Sequence, residues 1–194
     1  VYIRNSLTHA NNFFIEGDGR GTEGAIRSEG GTNTITGTVT LTGNATIYTN
    51  DSTLTLTQGL VGGGNQLVKA GTNVTSRLIL QQDSVNLANI ALNHGQLRVL
   101  TAGGLGNTAS LNIDSGEAIE FDYGALGTEV TFGAGSALNT FNVDDGTIEV
   151  LSGKVTLADT FTLNLGQVGD INLGGDGILN VATGFGNGVS AVPD

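Results

Sequence analysis

The residues best equipped for chemistry in this chain are carboxylates. Asp144 and Asp145 are adjacent, and Glu117, Glu120, Asp122 and Glu129 fall close together. Cleavage of a glycosidic bond needs two carboxyl groups about 5 to 10 Å apart with unequal proton affinities, so the supply of acids admits a carbohydrate-cleaving site. Plainer roles account for the same residues. Asp144-Asp145-Gly146 has the composition of a turn, while Glu120 and Glu149 take the outward positions of short strands, where solvated charge is expected. A sugar-cleaving site would normally add aromatic platforms, yet Trp is absent and aromatics make up 5% of the chain. The expectation is a protein that is not an enzyme.

Other reagents are scarce. Without cysteine there is no thiolate nucleophile, disulfide or thiolate zinc site, and His9 and His94 are too few for a His-rich metal centre. Gly174-Gly175-Asp176-Gly177 begins like a calcium-binding nonapeptide, but Leu179 stands where the ligand Asp belongs. No metal or cofactor is expected. The 194 residues carry 18 acids against 7 bases, a net charge of −11, and Lys and Arg are not clustered. Such a chain repels phosphate backbones, which excludes nucleic acid as a partner, and with no run of 18 apolar residues it does not insert in a membrane. Residues 1–109 hold six charges of each sign, whereas 110–194 hold twelve acids and a single base, Lys154. That asymmetry fits divalent-cation binding or polar head-to-tail association, or else simple solubility through self-repulsion.

The elements that must position these residues are short strands. Helical periodicity is nearly absent; strong helix formers gather only around Ser84 to Leu92. Apolar-polar-apolar triplets recur instead, among them Leu54-Thr55-Leu56, Leu78-Ile79-Leu80, Val85-Asn86-Leu87, Leu97-Arg98-Val99, Leu111-Asn112-Ile113, Ile119-Glu120-Phe121, Phe141-Asn142-Val143, Ile148-Glu149-Val150 and Phe161-Thr162-Leu163. Each reads as a strand with one face inward. Asn93-His94-Gly95, Asp114-Ser115-Gly116 and Asp144-Asp145-Gly146 separate them, and such residues supply the positive φ of tight bends. Strand starts only about 5 to 11 residues apart suit a chain that bends after every short strand. The pattern predicts an all-β, right-handed parallel β-solenoid with about three strands per coil and roughly seven to nine coils, about 35 to 45 Å long. An antiparallel sandwich is the rival. The sole proline, Pro193, lies where no ladder loses a donor.

The run from Gly24 to Arg27, followed by GGTNTITGTVTLTGNATIYTNDSTLTLTQGL over 30–60, resembles the autotransporter-associated β-strand repeats of bacterial surface proteins. The block 65–113 is similar to that family's repeat unit, with Lys69-x-Gly71 at its head and Gly-x-Leu-x-Val in its middle matched by Gly95-Gln96-Leu97-Arg98-Val99. The family's Asn-Thr-Tyr-x-Gly-Gly segment is replaced by Asp83 to Ala88. No translocator barrel follows, and Ala191-Val192-Pro193-Asp194 is only faintly similar to a Val-Pro-Glu-Pro sorting signal. The resemblance implies a secreted, processed protein at the bacterial cell surface, in keeping with a chain that begins at Val1 without a signal-peptide pattern.

Two further features bear on function. Thr32, Thr34, Thr36, Thr38, Thr40 and Thr42 alternate without a break and Thr53, Thr55 and Thr57 follow, so a threonine array could bind glycan or order water as ice-binding solenoids do; exposed β-branched residues also simply suit strands. Residues 1–23 concentrate Val1, Tyr2, Ile3, Phe13, Phe14 and Ile15, unlike the lean triplets of 24–194. This segment is expected either to cap the solenoid or to dock on the bare C-terminal coil around Gly184 to Gly188 of another copy. The function expected is a structural stalk or self-assembling fibre subunit with an adhesive role. The alternatives are a glycan- or ice-binding surface and a carbohydrate-active β-helix enzyme.

Overall fold

The computed structural model describes residues 1–124, 128–133, 138–158, 160–165, 170–173 and 177–181. Every strand pairing among them is parallel and joins one coil to the next. Three ladders run side by side. The first stacks Tyr2–Arg4, 26–31, 45–50, 66–71, 87–92, Ser110–Ile113, Thr140–Val143 and Thr162–Leu165. The second stacks Thr8–His9, 31–35, 52–56, Arg77–Leu80, Gln96–Val99, Ala118–Asp122, Thr147–Ser152 and Asp170–Leu173. The third begins with Phe13–Gly17 on 39–45 and is later carried by Glu129–Phe132, Lys154–Leu157 and Ile178–Val181. The chain is a parallel β-solenoid of about seven turns, close to 35 Å tall at about 4.8 Å per rung. Coils run from 19 residues (Leu78 to Leu97) to 30 (Leu111 to Phe141).

Alternation puts one residue in two inside, and parallel register puts like on like. The first ladder stacks Ala45, Leu67, Ile90, Leu111 and Phe141; the second stacks Leu54, Leu78, Leu97, Ile119 and Ile148, all buried. A coil alone has nothing to bury its inner face against, so stacking supplies both the hydrogen bonds and the core. Toward the C-terminal coils the core turns aromatic. Phe121, Phe132, Phe141 and Phe161 make a cluster with centroid separations of 4.8 to 6.4 Å, and Tyr123 joins it.

Turn chemistry follows the sequence. Gly95, Gly116, Asp51 and Asp145 all take positive φ at corners between the first and second ladders. Gly95 is irreplaceable by any residue with a Cβ, which would fall 2.3 Å from the Ser76 carbonyl oxygen and 2.8 Å from Lys69 Nζ. The stretch richest in helix formers lies in the strand Val85–Leu92, as its alternation predicts, with ladder partners on both sides. One expectation changes. Val85-Asn86-Leu87 is a bend within that strand, with Asn86 at φ 55° and Val85 half exposed. Pro193 and the 184–188 coil lie outside the described residues.

Leu97→Ala, in the middle of an inner column, is expected to lower the unfolding free energy by roughly 2 to 5 kcal/mol. Thr55→Ala, on the outer side of the same ladder, stays within about 0.5 kcal/mol. Urea denaturation of both variants checks the inner and outer assignments, and equal losses would contradict them.

Candidate functional site

Residues 1–17 are the first rung of the solenoid. Tyr2 pairs with Arg27, Thr8 with Thr34 and Phe13 with Val39, so this segment continues the ladders in register. Ile3 and Ile15 are buried in the core and Phe13 packs against it, while Val1, Tyr2 and Phe14 face outward, Phe14 at 73% exposure. Phe14 heads an outer column that continues through Thr40, Val61 and Val85. Tyr2, Arg27 and Tyr48 stack in register on three rungs, with the Arg27 guanidinium 5.5 Å from the Tyr2 ring centre and 5.8 Å from that of Tyr48. Glu23 and Glu29 pair with the same guanidinium. Beside it lies an open groove of about 430 Å³ lined by Tyr2, Arg20, Glu23 and Arg27.

The carboxylates divide into four places. Glu120 and Asp122 stand on the outer side of the second ladder with Arg77, Arg98 and Glu149. Register places Arg98, Glu120 and Glu149 on successive rungs. Glu120 is 2% exposed, which overturns the expectation of a solvated charge. Arg77 and Arg98 close over it from two preceding rungs: Arg77 donates to Oε1 at 2.8 Å and Arg98 to Oε2 at 2.6 Å. Arg77 also donates to Gln96 at 2.6 Å, and Asp122 lies 3.6 Å from Arg98 and accepts from the Ser152 hydroxyl at 2.6 Å. Burial, then the neighbouring Glu120 charge, raises the Glu149 carboxyl above the usual range. Both oxygens of Glu120 are engaged by guanidinium groups, so the cluster is built as an ionic lattice that ties four rungs together.

Glu129 sits apart on the third ladder, where Lys154 at 2.9 Å and then the Thr156 hydroxyl at 2.8 Å hold its carboxyl low. Asp144 and Asp145 form the expected turn, in which Asp145 accepts from the Ser115 hydroxyl at 2.8 Å. Glu117 is buried at another corner beside His94, at 2.8 Å. Among the described residues no group of three or more His, Asp or Glu side chains is arranged to hold a metal ion. The calcium-like run 174–176 lies outside the described residues.

The chain matches no protein-family model, no curated protein and no solved structure. Its surface must be read from geometry alone.

Threonines line up where the run predicts, but briefly. Thr32 stacks on Thr53 and Thr34 on Thr55, and on the next rung Arg77 and Ile79 take their places. A flat Thr-x-Thr array thus spans two rungs. Three features escaped the sequence reading. Asn142 donates to Asn112 and Asn164 to Asn142, both at 2.7 Å, a side-chain ladder whose signal is the shared middle position of three triplets. Arg77 and Arg98 carried no motif, and their meaning needs the register. Lys69 is fully buried in an inner column between Ile47 and Leu92, and only its in-phase position after Leu67 marks it.

Replacing Arg77 and Arg98 together by Met leaves Glu120 buried and unpaired. The double variant is expected to lose about 3 to 5 kcal/mol of stability at neutral pH, and adding Glu120→Met should restore much of that loss. Chemical denaturation of the double and triple variants measures both effects.

Proposed function

We propose that this chain is a non-catalytic structural rod of the extracellular or bacterial cell-surface kind, similar to autotransporter-associated repeats, serving as a stalk or as the subunit of a head-to-tail fibre. The supporting observation is the stacking of rungs: the first and second ladders and their inner columns propagate over about seven turns, with one turn of 3-10 helix, Arg20–Thr22, as the helical element among the described residues. A stack of this kind is stiff and needs no disulfide, properties suited to a protein outside the cell. Polar association draws on the charge distribution. Residues 1–109 hold six charges of each sign while 110–194 hold twelve acids and one base, so a neutral end meets an acidic one without like-charge repulsion. In this reading Val1, Tyr2 and Phe14 provide exposed apolar contact at the first rung, with Ile3, Phe13 and Ile15 anchoring it from inside.

A glycan- or ice-binding surface is the second reading. It draws on the in-register pairs Thr32/Thr53 and Thr34/Thr55, and is limited by the two-rung width of that array. A carbohydrate-active enzyme draws on Glu120 and Glu149, stacked on neighbouring rungs, but the two arginines on Glu120 weigh against it.

Electron microscopy of the purified chain across a concentration series separates these readings. Filaments with an axial repeat of about one rod length, 35 to 45 Å, are the expected result. Isolated rods at every concentration would remove the fibre role and leave a monomeric stalk. Deleting residues 1–15 is expected to abolish filaments; an unchanged oligomeric state would end the docking role of that segment.

A further inference from the structure

One corner between the first and second ladders holds a cluster that neither stacking nor solubility explains. Lys69 is a fully buried lysine inside an otherwise aliphatic column, where Leu or Met would pack without cost. Its Nζ donates to two backbone carbonyls, Ala70 at 3.0 Å on its own rung and His94 at 2.6 Å on the next. Glu117, on the rung after that, has a buried carboxylate whose Oε1 lies 2.8 Å from His94 Nδ1. The His94 side chain is 52% exposed, so it joins the buried carboxylate to solvent. Close approach of Gly95 beside Lys69 Nζ seals the amine from above.

The surroundings contribute few competing charges. Asp114 faces Glu117 from its own turn. On the following turn, Asp145 is engaged with Ser115 and Asp144 lies beside it. On the preceding side Asp51 accepts from Asn73, and Arg77 is committed to Gln96 and Glu120. Lys69 thus reaches this corner through the His94 backbone carbonyl, and the buried Glu117 carboxylate has the His94 ring beside it but makes no well-aligned hydrogen bond.

We propose that Lys69, His94 and Glu117 form a proton-operated latch, one titrating corner that sets how firmly the fourth, fifth and sixth rungs are held together. Burial, opposed by the Glu117 charge, brings the Lys69 amine down to about 7. A base lowered in the folded state binds fewer protons there than in the unfolded chain, so stability rises with pH from about 7 toward 10.5 and its full cost is present below 7. Glu117 acts in the opposite sense. Burial raises its carboxyl, against the lowering effects of His94 and the Gly95 N–H, so its contribution is largest in acid and fades as pH rises through the raised value. The Lys69 side of the latch is therefore loose below about 7 and tightens on going alkaline. That trend runs against the net charge of −11, whose self-repulsion alone weakens the fold as pH rises.

The test is favoured by composition, since Lys69 and Lys154 are the only lysines. In the full chain with ¹³C-labelled lysine, one ε-methylene resonance is expected to titrate near 7 and to be missing in Lys69→Met. Absence of any lysine resonance titrating near 7 would overturn the proposal. Urea unfolding supplies the second arm: the folding equilibrium constant of the natural chain is expected to rise at least about tenfold between pH 7 and pH 9.5, and that of Lys69→Met to stay flat or fall. The same rise in both chains would assign the trend to other groups and end the latch. If Lys69→Met does not fold, the resonance titration of the natural chain decides alone.

Discussion

Everything in this molecule depends on parallel, in-register stacking of one coil on the next. Each residue has as its nearest neighbours the residues at the same position one rung above and one rung below. A column is therefore a one-letter composition problem repeated along the axis. Aliphatic residues solve it by self-packing, as in the Leu54 to Ile148 column. Asparagine solves it by being donor and acceptor at once, which is why Asn112, Asn142 and Asn164 bond in series. Charges do not stack on themselves. Where Glu149 follows Glu120, burial and then the like charge raise the Glu149 carboxyl, and two arginines are spent on Glu120. Arginine between two tyrosines, at Tyr2, Arg27 and Tyr48, is a third solution.

Legibility in the sequence follows from the same rule. Alternation is local, so the triplets and their Asx-Gly corners could be read directly, and with them the parallel coil architecture. Which outer residue meets which is not local. It depends on coil lengths that vary from 19 to 30 residues, so Glu120 read as a solvated charge when its covering arginines lay 22 and 43 positions away. Residues 1–17 looked foreign because aromatic content overshadowed the alternation of Tyr2-Ile3-Arg4, which is out, in and out like any other rung. Lys69 was hidden differently. Its spacing marks it as inward, but its charge argues the reverse, and only a polar corner two rungs deep reconciles the two.

The rod is not uniform along its axis. Its early coils carry balanced charge, long strands that bend through several ladders without interruption, and an aliphatic core; Val39–Leu56 alone contributes to all three ladders. Its later coils carry most of the acids, separate four-residue strands and the phenylalanine cluster. Larger inner side chains offset the weaker continuity of the later backbone, since each buried ring removes more apolar surface from water than a branched aliphatic does.

The order of rungs along the axis is also their order along the chain, and this has a mechanical meaning. Tension applied between the two ends acts along the inter-rung hydrogen bonds and meets them one rung at a time, starting from an end, instead of shearing many strands together. Each rung released frees 19 to 30 residues of slack, roughly 65 to 100 Å of extended chain. Under load such a rod lengthens in discrete steps while the rungs not yet reached stay folded.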